Sequence, residues 1–190
     1  TLGDKLKAEI LDQPRMIDEV LNLWQGVMIG ARKGLGVGMM VGPTGTGKSE
    51  LGQRIAQLGL RRPGAFLRID ANEYKQGGHS VNKLFGAEPG LVTSDKIAGI
   101  LPEFLDDPSK GKYGGVILID EAERAHPEFW ERLMEFLDTG RVVGGDGRAR
   151  HARRRLALIT SNRGINVLFP ERASQWGAEE LTQYVAGVTS

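Results

Sequence analysis

The stretch Gly42-Pro43-Thr44-Gly45-Thr46-Gly47-Lys48-Ser49 decides how this chain is read. It satisfies G-x-x-x-x-G-K-[ST], the phosphate-binding loop pattern, at every fixed position. Its flanks agree with it. Residues 37–41 (VGMMV) read as a short buried strand. Residues from Glu50 onward (ELGQRIAQL) read as a helix with Leu51, Ile55 and Leu58 on one face. Such a loop needs glycines so that the backbone can wrap closely around phosphates. Its N–H groups and the positive end of the helix then face the anion. Lys48 would reach the β- and γ-phosphates, and the Ser49 hydroxyl would ligate Mg²⁺. A chance glycine-rich turn is the competing reading, and the strand and helix on either side argue against it.

Downstream, residues 65–70 (AFLRID) and 156–160 (LALIT) are strand candidates, and residues 115–120 (GVILID) form the strongest one. The last is a continuous apolar run, as in a parallel strand covered on both faces. Helices are expected at 80–85, at 97–105 with an interruption or restart at Pro102, and at 127–137, stopped by Gly140. Upstream, residues 2–24 carry a helical apolar stripe broken at Pro14, and 30–38 (GARKGLGVG) read as flexible. Residues 106–115 and 141–154 read as polar loops, and 178–186 carry weak helical character. Strands alternating with helices predict a parallel α/β sheet whose ligands sit at the carboxyl ends of the strands. The Gly-rich loop, Asp120-Glu121 and Ser161-Asn162 each follow a strand directly, so they should converge.

An apolar strand ending in Asp-Glu below a phosphate loop is the Walker B arrangement. Asp120 would hold the metal, directly or through water, and Glu121 would polarise the attacking water. The competing reading is an acidic pair at a helix start, which the helix dipole favours in any case. Asn162 could hydrogen-bond the γ-phosphate or the water; alone, Ser-Asn after a strand is ordinary turn chemistry.

Composition sets bounds. The chain has 190 residues, 26% charged and 40% hydrophobic, as in a globular domain with a real core. A formal net charge of +1 gives no argument for nucleic acid or an anionic membrane. With no cysteine there are no disulfides, which fits a reducing cytoplasmic setting. No membrane-spanning run is expected. The chain begins at Thr1 and reads as a piece of a longer protein.

Several stretches together resemble the large subdomain of the AAA+ ATPases of the Clp-type unfoldases and disaggregases, in their second nucleotide-binding module. They are GPTGTGKSEL (42–51), RIDANEY (68–74), HSVNKLFGAEPG (79–90), VILIDEAERAHPEFWERLMEFLDTGRV (116–142) and ITSNRG (159–164). The resemblance implies a P-loop NTPase three-layer α/β sandwich. It divides the chain into a helical lead-in (1–36), a core with Walker A, Walker B and sensor-1 (37–164), and a helical or irregular segment (165–190). It implies ATP or ADP with Mg²⁺, and a homo-oligomer, often a hexameric ring, that pulls polypeptide through a pore. The implied nucleotide-binding set is Gly42, Pro43, Thr44, Gly45, Thr46, Gly47, Lys48, Ser49 and Glu50, with Ile10 and Leu11 against adenine. Ser49 and Asp120 would serve the metal. Lys48, Glu121 and Asn162, the last as sensor-1, would serve catalysis.

Three departures stand out. The family's pore loop reads Gly-aromatic-Val-Gly, but this chain has Gly90-Leu91-Val92-Thr93; Leu91 could still contact a polypeptide substrate, or the loop could serve assembly, which makes a scaffold role the alternative. No residue after Gly164 matches the family's last core strand or arginine finger, so the edge beside the P-loop strand is expected to be open. The helical lid is also expected to be absent.

Weaker features divide similarly. Residues 148–155 (RARHARRR) hold five Arg and one His. Nucleic-acid contact, as in a nucleic-acid motor, or a pore-facing substrate loop are the sharp readings; a solvated loop or subunit contact is the plainer one. The near-neutral chain and the absence of interleaved aromatics favour the plainer. His79 and His126 are expected to be structural, and Asp70 and Glu73 to serve as caps.

Overall fold

The computed structural model describes residues 1–10, 13–30, 34–41, 45, 47–87, 98–162 and 185–187. The amino-terminal apolar stripe becomes two helices, α1 (Leu2–Glu9) and α2 (Pro14–Met28). Thr1 caps α1, its hydroxyl accepting from the Asp4 amide at 3.2 Å. Pro14 sits in the first turn of α2, where its missing N–H costs nothing. Then follow β1 (Leu35–Val41), α3 (Lys48–Arg54) with a π-helical turn (Ile55–Gly59), and β2 (Phe66–Asp70). Next come α4 (His79–Phe85), α5 (Ile100–Asp106), β3 (Gly115–Asp120), α6 (Pro127–Thr139), β4 (Arg141–Val143), β5 (Ala149–His151), β6 (Arg155–Ser161) and β7 (Val185–Gly187).

Five parallel strands form the main sheet in the order β2-β3-β6-β1-β7. Alternate residues of the central strands face opposite layers. Val116, Leu118, Leu156 and Leu158 pack with α1, α2 and α3; Ile117, Ile119, Ala157 and Ile159 pack with α4, α5 and α6. This gives the expected three-layer α/β sandwich. Both β3 and β6 are buried along their whole length, which is why their sequences are apolar without alternation.

Several expectations are corrected. The edge beside β1 is not open: β7 pairs with it, Met39 opposite Val185 and Val41 opposite Gly187. Val185 and Ala186 are therefore strand, not helix. The rest of the expected helix, 178–184, lies outside the described residues. Gly36 and Gly38 belong to β1, and their value is close packing, not flexibility. A Cβ on Gly36 would collide with the Val27 methyl of α2, and one on Gly38 would come within 3.1 Å of Leu23. Pro102 does not interrupt α5, because it lies in the first turn, where no intrahelical N–H bond is required.

The loop expected at 141–154 is a hairpin, β4 paired antiparallel with β5. Its tip meets the ends of α4 and α5. Gly145 N–H donates to the Ala98 carbonyl at 3.1 Å. Gly86 ends α4 at φ 93°, ψ 149°, and a Cβ there would collide with the Gly145 nitrogen and the Ala98 oxygen. Gly99 precedes α5 at φ 104°, ψ 154°, and a Cβ there would collide with the Gly86 nitrogen. Three backbone segments thus meet at a point where only glycine fits.

Candidate active site

Beyond the carboxyl ends of β1, β3 and β6 lies a cavity of about 310 Å³, lined by Gly45, Gly47, Lys48, Ser49, Glu50, Arg68, Asp120, Glu121, Thr160 and Asn162. Of the residues singled out from the sequence, it gathers all the catalytic and metal candidates with Gly45, Gly47 and Glu50. Gly42, Pro43, Thr44, Thr46, Leu11 and Leu91 lie outside the described residues. Ile10 is buried beside the loop: a Cβ on Gly47, which has φ 78°, would lie 2.7 Å from its Cγ2. An Arg54–Glu9 ion pair at 3.1 Å ties α3 to the end of α1 nearby.

Asp120 is the hub. It is buried, and its Oδ1 accepts from Thr160 Oγ1 at 2.5 Å and Ser49 Oγ at 2.8 Å. Its Oδ2 accepts from Arg68 Nη2 at 2.6 Å and Nε at 3.0 Å. Burial pushes this carboxyl up, but the hydrogen bonds from Thr160, Ser49 and Arg68 outweigh it and hold the group below its usual range. Lys48 is buried too. Desolvation pushes its ammonium down, opposed by the charges of Asp120 and Glu123.

Glu121 stands at φ 52°, ψ 46°, a left-handed conformation uncommon outside glycine and frequent at functional sites. Its N–H donates to Thr160 Oγ1 at 3.1 Å, and its carboxylate pairs with Arg124 Nε at 2.9 Å. Thr160 therefore links both Walker B residues. Asn162 is exposed, and its N–H donates to Glu123 at 3.3 Å. The other polar residues take structural places. Asp70 caps the turn after β2, accepting from Asn72 N–H at 3.0 Å, and His126 Nδ1 caps α6, accepting from Glu128 N–H at 3.3 Å.

Sequence reasoning missed Arg68 and Thr160. Thr160 left a signal, a hydroxyl at the carboxyl end of an apolar strand. Arg68 left one only in the resemblance stretch RIDANEY. For Mg²⁺, the Ser49 hydroxyl and the Asp120 carboxylate supply hard oxygens 2.8 Å apart, a donor set that suits the ion. Among the described residues no cluster of three His, Cys, Asp or Glu side chains forms a protein-only metal cage, and none is needed where phosphates and water complete the shell.

A parallel sheet, a phosphate loop before α3, and Asp-Glu and Asn at the ends of neighbouring strands define an ATPase of the AAA+ class. The sequence matches the family AAA domain (Cdc48 subfamily) over residues 33–186, and the chain belongs to that family. It is an AAA+ ATPase domain of the Clp type. It is 34% identical over 170 residues to the chaperone protein ClpB of Mycoplasma genitalium, covering 88% of this chain and 23% of the relative. Against the ATP-dependent Clp protease ATP-binding subunit ClpE of Lactococcus lactis it is 34% identical over 166 residues, covering 86% and 21%. Against ClpB of Meiothermus ruber it is 32% identical over 190 residues, covering 98% and 22%. The chain spans less than a quarter of the length of these relatives.

Proposed function

We propose that this chain is the ATP-hydrolysing core of a protein-remodelling machine that works as a ring, hexameric as in the wider family. The observation that carries it is the convergence of Lys48, Ser49, Asp120, Glu121 and Asn162 on one cavity at the carboxyl ends of three adjacent strands. The loop amides and Lys48 bind the phosphates of ATP. Ser49 and Asp120 would hold Mg²⁺, which would supply positive charge to offset that of the phosphates. Glu121 orients the attacking water and accepts its proton, once it leaves Arg124. Asn162 hydrogen-bonds the γ-phosphate or that water, and Ile10 with Leu11 supports the adenine. The division at residues 36 and 164 into lead-in, core and tail belongs to the same reading, as does a cytoplasmic location. Among the described residues no helix is long and apolar enough to cross a membrane.

ATP turnover per chain, measured over a wide range of protein concentration, tests this. Glu121→Gln should bind nucleotide normally and lose turnover; unchanged turnover would remove the base assignment. A wild-type rate per chain that rises with concentration places the active site between subunits. A second reading, a nucleotide-dependent scaffold that threads nothing, is favoured by Leu91 in place of an aromatic. Leu91→Ala with intact assembly and undiminished remodelling would select it.

A further inference from the structure

At the opposite, amino-terminal ends of the central strands lies a larger cavity, about 890 Å³, lined among others by Lys112, Tyr113, Arg150, Arg153, Arg154 and Arg155. We propose that it binds single-stranded nucleic acid, phosphates on its cations and a base on Tyr113. The nucleotide cavity lies at the other end of the strands, so this inference does not rest on the ATPase reading.

The arginine run divides into two kinds. Arg150 and Arg155 are buried and build the site. Arg150 pairs with Asp106 at 2.8 Å and with Asp146 at 2.5 Å. Asp106 is the one acid that lines the cavity among the described residues; Arg150 is shared between it and Asp146, so these three groups together leave one negative charge against the positive charges of Lys112, Arg153, Arg154 and Arg155. Arg155 has no carboxylate partner among the described residues. Its guanidinium donates instead to the carbonyls of Leu105, Gly111, Lys112, His151 and Arg153, at 2.7–3.1 Å. Carbonyl dipoles satisfy its N–H groups, and the nearby Asp106 charge offsets that of the guanidinium only in part, without an ion pair. Burial pushes it down to about 10, which still leaves it positive at neutral pH.

Arg153, Arg154 and Lys112 are exposed and make no ion pair among the described residues. Arg154 is held in the left-handed region, φ 56°. The loop carrying Lys112 and Tyr113 is clamped twice, by Arg155 and by Arg62, which donates to the Pro108 and Lys110 carbonyls at 2.7 and 2.8 Å. The clamped loop presents an aromatic ring that is 66% exposed, with the Arg62 and Lys112 cations each 5.8 Å from its centre.

A net positive charge in a concave setting concentrates anions. An exposed ring among cations is the pairing by which single strands are held, phosphate by charge and base by stacking. The arginine run itself carries no interleaved aromatic, and the fold supplies one from a different loop; the near-neutral net charge of the chain is offset locally, where the cations gather. An acidic polypeptide would use the cations but leave the ring idle.

The test is anisotropy of a labelled oligothymidylate about 20 nucleotides long with the 190-residue chain, as salt is raised from low concentration. Three phosphate contacts predict a log–log salt slope of about −2. Arg153→Glu with Arg154→Glu should weaken binding at least about ten-fold, and Tyr113→Ala at least about five-fold, while Tyr113→Phe stays within about two-fold. Lys112→Glu, on the other loop, gives a second charge reversal should the double variant fold poorly. Circular dichroism and ATP binding should match wild type in each variant, and excess ATP should not displace the oligonucleotide. No binding at low salt, or indifference to the charge reversals, would overturn the proposal. So would equal displacement by poly-glutamate of matched charge, which would mark an acidic-polypeptide site.

Discussion

Replacing Gly86 by alanine should be one of the most damaging single-methyl changes available in this chain. Gly86 stands at φ 93°, ψ 149°, a region that is essentially restricted to glycine. Holding another residue there costs about 1–3 kcal/mol. The added methyl also meets backbone atoms, the Gly145 nitrogen and the Ala98 oxygen, which cannot rotate away as a side chain would. Forcing atoms into a packed position adds about 1–3 kcal/mol. The expected total is about 2–6 kcal/mol, a large share of the roughly 5–15 kcal/mol that holds a domain folded. Gly147, in the same hairpin, is the control. It also has positive φ, 72°, but a Cβ there meets nothing within 4 Å. Gly147→Ala should therefore cost only about 1–2 kcal/mol. Urea unfolding followed by tryptophan fluorescence reads both. If Gly86→Ala falls within about 1 kcal/mol of Gly147→Ala, the three-segment contact carries no weight and the reasoning fails.

Three further outcomes are expected. Lys48→Ala should abolish tight nucleotide binding, read by titration with a fluorescent ATP analogue; near-normal affinity would remove Lys48 from the phosphate site. Thr160→Val should cost about 1–3 kcal/mol in a denaturant titration, since it removes a donor to buried Asp120 and the acceptor for Glu121 N–H. Arg150 beside Asp146 holds that carboxyl down to about 2, from an ordinary 3.8. A carboxyl depressed in the folded state stabilises above pH 3.8, and the gain is lost as pH falls towards 2. After solvent screening this is about 1 kcal/mol, so Asp146→Asn should be weaker than wild type at neutral pH and indistinguishable from it near pH 2.

The parts of the fold that were legible in the sequence are those where one local rule dominates. Residues 115–120 form a strand because an uninterrupted apolar run can only be covered on both faces, and Gly140 ends α6 in the left-handed conformation expected of it, φ 64°. The site was legible through fixed spacing. What escaped depends on distant partners. The β4–β5 hairpin has three-residue strands, too short to show alternation, and Val142 is buried only because the rest of the fold covers it. β7 draws its order from pairing with β1, which nothing within Val185–Gly187 announces. Arg68 reaches Asp120 across 52 positions, and Tyr113 joins the arginine run only when the loop before β3 folds back on the start of β6.

The junction of Gly86, Gly99 and the hairpin tip has a consequence for how this domain can diversify. It fastens the two ends of the intervening segment to each other and to a third strand connection through main-chain contacts, with the Arg132 guanidinium of α6 also donating to the Gly86 carbonyl at 3.0 Å. The anchor points at Gly86 and Gly99 are thereby set from outside the segment that joins them. A connection between ends fixed in this way can be lengthened at only the slowly growing entropy of a closed loop.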